Sequence, residues 1–298
     1  MIFLREHEIS VRVDEKGGPV SPEVELGPGE NPLAKGCLII LVHGYCNDLS
    51  DARASYATFF LNCLKKGGFA ASRKADLFRF YWPGDKDWGW LLRLGSYTWE
   101  IGPAKNSAEV LYRFLIDLPN VLDLYLIAHS LGNRLVLELL NLFVQRGLPA
   151  AVQLKGICMM AAAVPVAFVN VAGSLQQATT LTRTHVLFSP SDSVLAGGFP
   201  LGEIPETHAI WSEAVGLNGN PQGSWDFQKR MWVRPGKGYG HGDYWTQPET
   251  ENPVSSFLKD PAATSTLIKR QATRALPPPN QPPVKILAKY RTPMRFPG

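Results

Sequence analysis

The run Ala128-His129-Ser130-Leu131-Gly132 holds the serine best placed for chemistry in this chain. It lies between an apolar, strand-like run and a helix-forming run, and it approximates the nucleophile elbow G-x-S-x-G. In that turn a strained backbone lifts the serine hydroxyl above the edge of a sheet. Small residues two before and two after the serine are a steric requirement, because strand and helix backbones meet closely there. Alanine stands at 128 where the pattern has glycine, and Gly132 fits outright. A serine hydroxyl becomes a useful nucleophile only when a base takes its proton and a third group orients that base. Behind an elbow of this kind the chain order is serine, acid, histidine.

Asp192, in Ser189-Pro190-Ser191-Asp192-Ser193-Val194, occupies the acid's place, with Glu203 and Asp226 as weaker substitutes. Its plainer reading is a turn residue capping a short helix. Two histidines follow it. His208 precedes Ala209-Ile210-Trp211, a strand-like run in which its ring would simply pack. His241 sits in the glycine-rich Gly238-Tyr239-Gly240-His241-Gly242-Asp243-Tyr244-Trp245, a loop with the freedom the role needs, and it is the stronger candidate. An oxyanion needs two backbone N–H donors. Leu131, just after the serine, supplies one, and Tyr45 in His43-Gly44-Tyr45 is the candidate for the other. His43 and His129 read as local hydrogen-bonding groups rather than proton carriers.

The elements that must position these residues alternate between strand and helix. Residues 37–42, 76–82, 122–128, about 154–162 and 184–188 read as strands. Helices are expected over about 50–65, 107–118 and 131–146, the last apolar nearly all round and therefore interior. A last strand is expected near 208–215 and a closing helix over about 254–275. This alternation predicts a mostly parallel central sheet with helices on both faces. One domain should span 1–276, with N-terminal strands in 1–36, a core over 37–250 and the closing helix. The tail 277–298 holds seven prolines and four basic residues.

The chain resembles the α/β-hydrolase superfamily over roughly 37–250, and most closely bacterial lipase/esterase-like serine hydrolases. The resemblance rests on His43-Gly44-Tyr45-Cys46-Asn47, on Ala128-His129-Ser130-Leu131-Gly132-Asn133, and on a histidine in an H-x-D-Y-[WF] setting. It implies an α/β-hydrolase fold and cleavage of an ester-type bond through Ser130, His241 and Asp192, by way of an acyl-enzyme. Acyl transfer on the same three residues, or a non-catalytic binding protein of this fold, are the alternatives. The substrate implied is a small-molecule or lipid-like acyl compound. Trp82, Trp88, Trp90 and Trp245 are candidate walls for its pocket, or else anchors for long irregular loops. The usual lid position, 163–183, is short, so a small lid or none is expected, with 83–106 the better lid candidate.

Several classes are excluded. Of 298 residues 45% are hydrophobic and 19% charged, enough apolar surface to order most of the chain. No apolar run is long enough for a membrane-spanning helix. Gly236-Lys237-Gly238-Tyr239-Gly240 lacks the spacing of a phosphate loop, and no metal-ligand pattern or cofactor motif stands out. Cys37, Cys46, Cys63 and Cys158 form no C-x-x-C pair. With no signal-peptide pattern at the N-terminus, a reduced cytoplasmic setting is the default expectation. The net charge of +4 is concentrated at the end: residues 251–298 carry eight Lys/Arg and two Asp/Glu, leaving −2 for the rest. A nearly neutral body argues against a nucleic-acid partner, and the basic tail is at most a contact for a partner or an anionic surface.

Overall fold

The computed structural model describes residues 5–11, 23–25, 36–44, 49–65, 75–84, 101–120, 122–170, 173–198, 213–219, 230–233 and 238–259. Among the described residues eight strands form one sheet: β1 (Arg5–Ser10), β2 (Glu23–Glu25), β3 (Gly36–Val42), β4 (Ala75–Tyr81), β5 (Leu122–His129), β6 (Val152–Met160), β7 (Thr184–Leu187) and β8 (Arg230–Val233). Their spatial order is β2-β1-β4-β3-β5-β6-β7-β8, parallel throughout except for β2 against β1. The central strands are unbroken apolar runs because both their faces are covered, as in an α/β sheet. From Leu38 to Val42 in β3 every side chain is buried.

The longer helices are α1 (Leu49–Phe59, continued by a wider turn over Phe60–Lys65), α2 (Ile101–Ile116) and α3 (Gly132–Arg146). Short helices α4 (Val166–Val169), α5 (Gln176–Thr180), α6 (Val215–Asn218) and α7 (Asp243–Thr246) lie in the later loops, and α8 (Glu251–Lys259) closes the described chain. α3 packs against α2 and α5, while α1 packs on α7 and the 60–65 turn on α8. The expectation that α3 is interior holds: Leu135, Val136, Leu137, Leu139, Leu140 and Phe143 are all buried. Its one buried cation, Arg134, is paired with Glu138 at 2.9 Å, and its guanidinium lies 4.5 Å from the ring centre of Phe168. A charge at that depth persists only with such partners.

Three expectations need correction. Among the described residues the last strand is Arg230–Val233, parallel to β7; of the strand expected near 208–215, residues 208–212 lie outside the described residues and 213–215 are not strand. Within that earlier range Glu213 and Ala214 belong to an irregular stretch, Ala214 bridges Pro165, and α6 begins at Val215. Alternation of apolar residues over a few positions fits a buried bridge and turn as well as a strand. The helix expected over 107–118 begins six residues earlier, so the end of the lid candidate, 101–106, is the first part of α2. Pro103 is tolerated because it falls in the first helical turn, where the missing N–H had no partner to lose. The closing helix starts at Glu251; its expected extension to 275, the tail and the remaining lid candidate lie outside the described residues.

Candidate active site

The chain leaves β3 for β4 on one side, then returns past β3 to place β5 on its other side. This reversal leaves a crevice at the C-terminal ends of β3 and β5, the place where open α/β sheets bind ligands. Register puts Val42 beside Ala128, so His43-Gly44 and His129-Ser130 emerge together. Ser130 has φ +53, a left-handed backbone that a residue with a side chain adopts only under strain.

What holds that strain is a set of hydrogen bonds on either side of the hydroxyl. The Ser130 N–H donates to Met160 O at 3.0 Å, and its carbonyl accepts from the Asn133 and Ala163 N–H groups at 3.1 and 3.2 Å. Asn133 Nδ2 donates to both Ser130 O and Met160 O, each at 3.0 Å. Asn133 is fully buried and ties the turn to the end of β6. The sequence reading gave it no role; its signal was an amide three residues past the serine, at the start of a helix, where a side chain can reach back to the turn.

Glycine is required at two positions by proximity. A Cβ on Gly132 would lie 2.4 Å from His43 O and 2.8 Å from Val42 O, both backbone atoms. A Cβ on Gly44 would lie 2.5 Å from the Ser130 Cβ. Ala128, which replaces the elbow's first glycine, is buried without any such conflict in the strand register.

Ser130, His241 and Asp192 come together from three separate loops. Ser130 Oγ is 2.8 Å from His241 Nε2, and His241 Nδ1 is 2.8 Å from Asp192 Oδ2. Because an ionised carboxylate only accepts, Nδ1 carries the proton and Nε2 presents its lone pair to the hydroxyl. Asp192 is wholly buried while the His241 side chain keeps about a fifth of its exposure, so the charge is enclosed and the base remains reachable. The other Asp192 oxygen, Oδ1, accepts from the N–H groups of Val194 and Leu195 at 3.1 and 3.0 Å. Asp192 thus does cap a turn, as its plainer reading held, and reaches the histidine with its second oxygen.

The histidine loop is fastened by its neighbours. Asp243 Oδ2 accepts from the Gly240 N–H at 2.7 Å, closing the turn that carries His241. Trp245 makes edge contacts with Tyr56 and Phe59 at centroid distances of 5.6 and 5.3 Å, and Asn62 Nδ2 donates to Thr246 O at 2.9 Å. On the other side, Tyr56 is fully buried; its hydroxyl accepts from the His43 N–H at 2.6 Å and lies 3.0 and 2.8 Å from Leu41 O and Phe80 O. Burial raises the Tyr56 phenol well above its ordinary pKa, so it stays a donor binding the ends of β3 and β4. His43 accepts from the Trp82 N–H through Nε2 at 3.3 Å and donates from Nδ1 to Gly44 O at 2.9 Å. The His43 ring nitrogens thus bond within the loop ends beside it, to Gly44 and Trp82.

The Leu131 N–H, at the mouth of α3, finds no acceptor among the described residues and stands next to the serine. Tyr45, the second expected donor, and Trp88, Trp90, His208, Glu203 and Asp226 lie outside the described residues. Trp82 is fully enclosed, stacked on His43 at 5.7 Å with its indole N–H on His43 O, and Trp245 is nearly so. Both serve as anchors of the site's loops rather than walls of an open cleft. Among the described residues no group of His, Cys, Asp and Glu could hold a metal ion.

With the sheet order and the strained turn in place, comparison with known proteins gives the family. The family described as "Alpha/beta hydrolase of unknown function (DUF900)" matches residues 32–199, more than half of the chain. The chain belongs to this family. The matched residues run from β3 through the elbow to the Asp192 turn; His241 falls beyond them. No curated protein matches the sequence. Among solved structures, the chain is similar to the "Putative hydrolase from Agrobacterium vitis S4", with 14% identity, a TM-score of 0.41, and 75% of this chain and 88% of that one covered. Among the described residues no helix of this α/β-hydrolase is long and apolar enough to cross a membrane.

Proposed function

We propose that the protein is a serine hydrolase that cleaves an ester-type bond, a carboxylic ester or thioester of a small-molecule or lipid-like acyl group. The observation that carries this reading is the continuous hydrogen-bonded line from Ser130 Oγ through His241 to the buried Asp192, with both links at 2.8 Å. Ser130 Oγ attacks the acyl carbon while its proton passes to His241 Nε2. The imidazolium that results is held by Asp192, which fixes its orientation and stabilises its charge without taking the proton. The carbonyl oxygen becomes an oxyanion facing the Leu131 N–H, with Tyr45 N–H the proposed second donor. As the tetrahedral adduct collapses, the bond to the leaving group breaks and His241 returns its proton to that group. Water then repeats the sequence on the acyl-serine, releasing the acid and restoring the serine hydroxyl.

A fluorophosphonate probe tests the assignment. It should label the wild type and leave Ser130→Ala unlabelled, and the variant's turnover of a short p-nitrophenyl ester should fall at least about 10⁴-fold. Equal labelling of both proteins would remove Ser130 from the role. Product analysis with competing alcohols and amines separates hydrolysis from acyl transfer.

A further inference from the structure

His129 precedes the serine, and its ring reaches the loop that carries the base. Its Nε2 lies 2.6 Å from the backbone carbonyl oxygen of His241. A carbonyl only accepts, so Nε2 must carry the proton. The ring centre is 4.9 Å from that of His241 and 5.2 Å from that of Trp245, so the imidazole is wedged between the base and the aromatic anchor of its loop. The other nitrogen, Nδ1, is buried and has no hydrogen-bond partner among the described residues. It faces the start of the oxyanion loop: a Cβ placed on Gly44 would come within 3.1 Å of it.

From this geometry we infer that His129 is a positioning residue whose Nε2–H clamps the His241 backbone and so sets the base between Ser130 and Asp192. The inference rests on the serine-hydrolase reading for its effect on rate, and on geometry alone for its effect on His241. Three parts of the site meet at this ring: the serine turn to which it belongs, the histidine loop through its N–H, and Gly44 after β3 beside its bare nitrogen edge. Keeping the ring uncharged matters electrostatically as well. When His241 takes the serine proton, a second cation about 5 Å away in a buried setting would oppose it. An Nδ1 with no acceptor nearby has no place for another proton, and burial disfavours the charged ring further.

The test compares substitutions that keep or lose the donor. Glutamine places its amide nitrogen near the position of Nε2, whereas asparagine reaches only as far as Nδ1 and phenylalanine fills the space with no donor. His129→Asn and His129→Phe should each lower kcat on a short p-nitrophenyl ester about 10- to 100-fold with KM little changed, as expected of a misplaced base. His129→Gln should recover to within about threefold of the wild type. Independently of turnover, the low-field proton resonance of His241 Nδ1–H against Asp192 should be sharp in the wild type and His129→Gln. It should be broadened or lost in the other two, with either one sufficing if its companion fails to fold. Wild-type kcat and an unchanged resonance in a folded His129→Asn or His129→Phe would overturn the inference. So would a His129→Gln that falls as far as they do. Were Ser130→Ala to keep its probe labelling, the hydrolase reading would fail while the resonance still decided the clamp.

Discussion

At the scale of single residues, Asp192 has two tasks divided between its two oxygens, and substitution can separate them. Oδ1 holds the Val194 and Leu195 N–H groups, and Oδ2 holds His241. Asparagine can keep the first task by presenting its carbonyl oxygen to the turn, but its amide cannot supply a negative charge to an imidazolium. Asp192→Asn should therefore leave the urea midpoint near that of the wild type while kcat falls by about 10⁴-fold. Asp192→Ala should lose the turn as well, with a further stability cost of about 1 kcal/mol for the missing cap. Equal urea midpoints for the two variants would show that the Oδ1 bonds contribute nothing to stability. Residue types, chain order, their turn and loop settings and the family resemblance led to Ser130, Asp192 and His241 as candidates. Asn133, Tyr56 and Asp243 were not legible in that way. Their work consists of side-chain hydrogen bonds to backbone groups, some close in sequence (Asp243 to Gly240, Asn133 to Ser130) and some farther off (Asn133 to Met160, Tyr56 to Leu41, His43 and Phe80), and residue type alone does not reveal such partners.

Among the elements, the junction of β5 and α3 is where local sequence and long-range packing meet. Gly132 is the first residue of α3 and lies against the carbonyls that end β3, so the helix can start at the serine only if that position has no side chain. Backbone carbonyls cannot swing aside as a side-chain tip can. Gly132→Ala should destabilise the protein by about 1–3 kcal/mol, the usual cost of forcing an extra carbon into a packed site. It should also reduce probe labelling even where the protein stays folded, since relieving the clash moves the serine turn. Chemical denaturation and labelling rate, measured on the same samples, check the two parts. Strand positions were readable from sequence because buried parallel strands are continuous apolar runs. The start of α2 at Ile101 was not, because Gly102 and Pro103 read as a break, and nor was the four-residue strand at Arg230–Val233, whose ladder partner β7 lies far back in the chain.

For the whole molecule, one contribution to the pH dependence of stability comes from a histidine that folding buries. Desolvation, with a smaller contribution from neighbouring His241, lowers the pKa of His129 from 6.5 to about 3. The unfolded chain therefore binds a proton that the native state refuses between those two values. Stability from this source is complete above pH 6.5, declines as the pH falls below it, and stops falling near pH 3. The slope is at most about 1.4 kcal/mol per pH unit. Denaturation curves across that range should show a shallower acid decline in His129→Gln than in the wild type, since glutamine does not titrate. Parallel declines would mean that the ring is not desolvated on folding.

The sequence by itself determined the fold class, the order in which serine, acid and histidine appear, and the concentration of basic charge near the C-terminal end. These depend on residue type, periodicity and local turns, which short stretches of chain carry within themselves. Tertiary structure alone decided that Ser130, His241 and Asp192 lie in one hydrogen-bonded line, although 111 residues separate the serine from the histidine. It likewise decided that Trp82 and Trp245 are anchors, and that His129 faces the histidine loop. Each of these depends on which strands lie side by side and which loops then share one end of the sheet. Distances of a few ångströms between residues far apart in sequence are set by packing, and packing belongs to the whole chain at once.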